Sequence, residues 1–213
     1  EISDIETNLA TADRSEKKRL QTELNEVTSE RNDNVRSLGG EKERFYAEID
    51  KVAREQISSA EASAEYSNRY ADYRQSLYSL TNAEQQGGNV TEKLSESEKS
   101  EYALLQTIIP HVDNETKSVL QPIYSKLEEK YSSHTEPVNV SGTEILSNTN
   151  TDNAGKTTVS SQLKASVALQ NRYETNIATA DTEISDIETN LATADRSEKK
   201  RLQTALNEVT SER

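Results

Sequence analysis

Apolar residues recur along most of this chain at alternating spacings of four and three. The clearest run is Tyr173, Ile177, Ala180, Ile184, Ile187, Leu191 and Ala194. That spacing keeps one stripe on one face of an α-helix, the seam of a coiled coil. Beyond Ala194 the positions Glu198, Leu202, Leu206 and Val209 follow at four, four and three, closer to an eleven-residue pattern that straightens a helix. With no Gly or Pro between Thr157 and Arg213, the pattern predicts one helix over 157–213, ~85 Å long at about 1.5 Å per residue. Ser185 and Glu188 are spaced as a capping box that would start a fresh helix there, but the unbroken seam favours continuity.

The same seam opens the chain through Ile2, Ile5, Leu9, Ala12, Leu20, Leu24 and Val27 and runs on to Val35 and Leu38. Gly39-Gly40 then reads as a helix end and reversal. Helix resumes over 41–86, first with a stripe of Phe45, Ile49, Val52/Ala53, Ile57, Ala60 and Ala64. A second stripe, Tyr66, Tyr70, Tyr73, Leu77 and Leu80, is offset by a stutter. Gly87-Gly88 marks the next reversal. Helices follow over 91–109, closed by Pro110, and over 113–131, capped by Asp113 and bent near Pro122. Residues 134–156 hold Pro137, Gly142 and Gly155 among Ser, Thr, Asn and Asp. They read as an irregular connector with a short strand at 137–140.

The predicted fold is all-α. Helices over 1–38, 41–86 and, interrupted at Pro110, 91–131, joined by tight Gly-Gly turns, form an elongated antiparallel three-helix bundle or coiled coil, with a long helix over 157–213 continuing into the next repeat. The helical bundle occupies 1–133, the connector 134–156, and the long junction helix 157–213.

Glu1–Arg31 returns as Glu183–Arg213 with one change, Glu23 becoming Ala205. Near-identity over that length makes the chain one unit plus the opening of the next, so 183–213 begins a new repeat and the long helix continues into it. A long unit copied with so little drift is the mark of an array, whose job is geometric. A smaller duplication lies within the seam: Glu174–Asp181 (ETNIATAD) recurs as Glu188–Asp195 (ETNLATAD), two heptads later, which keeps the stripe on one face. A closing segment that turned, frayed or paired back on the chain's beginning near Thr182 would remove the load-carrying role of this helix.

Composition fits narrow bundles. Of 213 residues, 31% are hydrophobic and 30% charged, enough for a stripe of roughly three residues in seven but thin for a wide core. The chain has no Cys, which excludes disulfides and thiolate metal sites, and no Met, even at position 1, which marks a piece of a longer product. Lack of both sulfur residues suits an oxidising, extracellular setting. A net charge of −13 disfavours nucleic acid and anionic membranes, and no stretch approaches the ~20 apolar residues of a membrane span.

Candidate chemistry is sparse. His111 and His134 have no partner at metal-ligand spacing. Gly155-Lys156-Thr157 has the tail of a phosphate loop without its first glycine. Asn148, Asn150 and Asp152 have the first oxygens of a calcium loop, but Val159 stands where its bidentate carboxylate belongs. Asn89, Asn114 and Asn139 match glycosylation acceptors, and Glu92, Glu96 and Glu98 read as solvated helix surface. Tyr66, Tyr70 and Tyr73 are a candidate binding face, although heptad spacing favours a half-buried seam with hydroxyls at the rim. No catalytic, cofactor-binding or metal-binding set emerges, so the expectation is a protein that is not an enzyme.

With Tyr173–Ala194 carrying one seam across the repeat boundary, the plan resembles spectrin-type arrays and the helical-bundle repeats of giant bacterial surface proteins. It differs from spectrin in its longer unit and its lack of Trp. The resemblance implies a stalk that carries an adhesive domain away from a cell, hence a cell-surface or extracellular location. The leading expectation is a structural module acting as spacer and force-transmitting rod, with adjacent copies in the same chain as partners. The alternatives are a multivalent repeat binding a host or matrix protein or glycan, and an intracellular coiled-coil scaffold.

Overall fold

A computed structural model describes the backbone of residues 2–131 and 156–211, with side chains over 14–131, 161–194 and a few positions beyond. Every regular element among these residues is an α-helix: α1 (Ile2–Gln56), α2 (Ala60–Thr81), α3 (Val90–Ile108), α4 (Asn114–Tyr131) and α5 (Lys156–Ser211). The protein is all-α. The chain forms two compact units: 1–34 with 174–213, and 35–173. Helices α1 and α5 contribute to both.

The larger unit holds a continuous core. Phe45, Tyr46, Ile49, Ala53 and Ile57 from α1 and its end meet Tyr66, Tyr73 and Leu77 of α2. Leu104, Leu105 and Ile108 of α3, with Val112 just beyond it, join Val119, Leu120 and Leu127 of α4 and Leu163 of α5. Tyr46 is the aromatic hinge of this cluster, edge-on to both Phe45 and Tyr73 at 5.0 and 4.7 Å between ring centroids.

The reversal expected at Gly39-Gly40 does not occur, and α1 runs through both glycines. A Cβ at Gly39 would lie 2.7 Å from Thr81 Cγ2. Gly39 is therefore a contact glycine, allowing α1 and α2 to approach closely, and not a turn. The chain reverses instead after Gln56, where Ser59 caps α2 by accepting from the Ala62 N–H at 3.2 Å. The separate helices expected over 1–38 and 41–86 are thus redistributed between α1 and α2, and the three-helix plan gives way to five helices among the described residues.

The Gly87-Gly88 reversal is present. Gly87 takes φ +66° and the Gly88 N–H donates to Ala83 O at 2.7 Å. Asn89 then caps α3, its Oδ1 accepting from the N–H groups of Thr91 and Glu92. Asp113 caps α4 by accepting from the Thr116 N–H at 2.8 Å, and Gln56 holds it through two further hydrogen bonds. Pro122 lies inside α4 on an exposed position. Apart from Lys156, which opens α5, the connector expected over 134–156 lies outside the described residues, as does its strand.

Candidate functional site

The repeated segment is the feature that composition and spacing single out, and both its copies lie in the smaller unit, together with residues 32–34 and 174–182. The Arg31 guanidinium donates to Asp181 at 2.5 Å, and the Asn176 amide donates to Asn34 at 3.1 Å. As numbers rise on α1 they fall on α5, so the helices are antiparallel. Arg31 is buried while Asp181 keeps half its surface in water. A buried guanidinium needs its partner, so the pair fixes register more than it adds stability.

Along α5 the burial is a single stripe. Ile177, Ala180 and Ile187 are buried, and Tyr173, Ile184, Leu191 and Ala194 are partly buried. The other positions from 171 to 194 are exposed, except Glu174, which is half-buried. On α1, Leu20 and Arg31 are buried, with Lys17, Leu24 and Val27 partly covered. Helix α5 passes the boundary between Thr182 and Glu183 without a break, so the Ser185 capping box starts nothing. It does not turn, yet it lies against the chain's own beginning.

The tyrosines of the candidate binding face are not presented outward. Tyr66 and Tyr73 are 1% and 0% exposed, and Tyr70 is half-buried, stacked on Tyr66 at 5.8 Å. Their heptad spacing turns them into the core, where the Tyr66 hydroxyl donates to Asp50 at 2.6 Å beside Arg54. Burial, then this hydrogen bond, raises the Tyr66 phenol well above its ordinary value. The outward-facing tyrosine is Tyr78.

Other candidates separate in the same way. His111 is exposed in the turn after α3, and His134, Asn139, Asn148, Asn150, Asp152 and Gly155 lie outside the described residues. Asn89 spends its side chain on a helix cap, and Asn114 opens α4. The acidic run pairs with cations: Glu96 with Lys93, and Glu98 with Lys130 and the Tyr131 hydroxyl. Among the described residues, no three His, Asp or Glu side chains gather to hold a metal, and no helix is long and apolar enough to cross a membrane.

Apolar spacing does not announce the buried polar groups, Glu101 foremost among them. Glu101 is fully buried in α3, accepts from the Tyr46 hydroxyl at 2.9 Å and pairs with Lys42 of α1. Both carboxylate oxygens are engaged, so this is a satisfied core network. The one available signal was position: Ser97, Glu101, Leu104, Leu105 and Ile108 share a helical face, and Glu101 stands among its apolar members.

No protein-family model, curated protein or solved structure matches the chain.

Proposed function

We propose that the chain is a structural tandem-repeat module of a fibrous stalk or filament at a cell surface, working as a spacer. The observation that carries this reading is the return of a 31-residue segment inside one uninterrupted helix. In a longer chain α5 of one unit then continues as α1 of the next. The extracellular placement is supported by the lack of Cys and Met and by the charged exterior.

The force-transmitting role expected of the long helix is given up, because α5 pairs back on α1 beside Thr182 through Arg31 and Asp181. The multivalent binding alternative loses its tyrosine face to the core, and no observation favours the intracellular scaffold.

Chains of one, two and three units, compared by small-angle scattering, test the spacer reading. The maximum dimension should rise with every unit added. A dimension that stops growing while the mass doubles and triples would overturn it.

A further inference from the structure

The stripe of the repeated segment reads the same in both directions. Its members Ile2, Ile5, Leu9, Ala12, Lys17, Leu20, Leu24 and Val27 are separated by 3, 4, 3, 5, 3, 4 and 3 residues. A helix with that spacing meets an antiparallel copy of itself with every member level with another. Chance palindromes of this kind are uninformative unless the molecule uses them, and here the observed register is the palindromic one. The Arg31–Asp181 and Asn34–Asn176 contacts bring Leu20 level with Leu191, Leu24 with Ile187 and Val27 with Ile184. Those three partners are the second-copy equivalents of Leu9, Ile5 and Ile2. At the centre, partly covered Lys17 falls level with Ala194, whose small side chain leaves room for the lysine stem.

We propose that Glu1–Arg31 and Glu183–Arg213 are a self-recognition segment through which a second copy of this chain docks, antiparallel, in place of the copy on the same chain. The contact is isologous: position for position, each segment offers what it receives. The described part of each copy carries one stripe, so a segment covers one partner at a time. A copy whose partner is removed presents Leu20, Leu24 and Val27 to water, and the surface that fits them is the same segment of another chain. The exchange needs no new contact, only a change in which chain supplies the second helix, as in domain swapping. This inference stands apart from the spacer reading, because it requires two copies and no array.

The test uses the full chain. Ile187→Asp with Leu191→Asp spoils the second copy and leaves the first intact but uncovered. Sedimentation velocity across a wide concentration range should then show the mass doubling relative to the native chain. Adding Leu20→Asp and Leu24→Asp should return it to the monomer. Helix content by circular dichroism checks that the variants fold.

A cysteine supplies an independent readout, since the chain has none of its own. In the Ile187→Asp, Leu191→Asp background, Ser15→Cys lies beside the two-fold axis and should link two chains with a short bismaleimide. Thr28→Cys should not, because antiparallel pairing holds its two copies about 40 Å apart. A doubly substituted chain that stays monomeric, a dimer that survives all four substitutions, or linkage at Thr28 equal to that at Ser15 would overturn the proposal.

Discussion

A methyl group added at position 40 meets nothing within 4 Å, whereas one at position 39 strikes Thr81 Cγ2 at 2.7 Å. Both glycines lie inside α1 and both carry the entropic cost of glycine in a helix, about 1 kcal/mol relative to alanine. Gly40→Ala should therefore raise stability by about 1 kcal/mol in urea denaturation. Gly39→Ala should forfeit that gain and destabilise, because Thr81 is held by its hydroxyl bonds to Leu77 O and Tyr78 O and cannot withdraw cheaply. Equal effects at the two sites would mean that Gly39 is not a contact glycine.

The Lys42–Glu101 pair makes a second residue-scale prediction. Glu101→Leu leaves a buried ammonium without its carboxylate and should cost about 3–5 kcal/mol. Adding Lys42→Met should recover most of the loss, since replacing both charges by apolar groups of similar volume is close to neutral. A double substitution as damaging as the single one would assign the pair a role beyond its own charges.

At the scale of elements, the tyrosines on α2 and α4 tie stability to alkaline pH. Burial is the first cause that raises the phenols of Tyr66, Tyr70, Tyr124 and Tyr131. The folded chain therefore holds these protons after the unfolded chain has begun to lose them near pH ~10. Above that point the unfolded state binds fewer protons, so stability falls as pH rises. Below it, the contribution is intact. The urea midpoint should be flat through neutral pH and decline above about pH 10. Tyr66→Phe should cost about 1 kcal/mol at neutral pH, from the lost bond to Asp50, yet lessen the alkaline decline.

The elements also show what the chain's pattern could and could not announce. Where apolar spacing alone decides, as from Tyr173 to Ala194, the buried stripe of α5 is the one the sequence marks. The α1–α2 boundary was hidden because two signals competed. Gly39-Gly40 is the stronger punctuation, while Ser59 followed by Glu61 is the cap that wins. Ala60 and Ala64, which extend the first stripe in the sequence, are exposed, because α2 starts afresh at Ala60 and takes its phase from Tyr66, Tyr73 and Leu77. The pairing of the two copies was present in the spacing too, but a palindrome says that a segment can meet itself, not that it does.

At the scale of the whole molecule, the two units differ in what holds them. Among the described residues, the buried hydrophobic cluster draws all its members from 45–163 and none from the unit that holds the repeated segments. The described part of that smaller unit carries one stripe, a buried guanidinium and an amide contact. A narrow stripe removes less apolar area from water than a multi-helix core, so the two units should open at different free energies. Native-state hydrogen exchange should find residues 14–31 and 184–194 exchanging together through an opening well below the global unfolding energy. Core amides near Ile49 and Leu104 should exchange only at the upper limit. Ile187→Asp should lower the first opening by about 2–4 kcal/mol and speed exchange on both copies, including the one that carries no substitution. If α5 alone responds, the copies are not a cooperative pair, and the smaller unit is two independent helices.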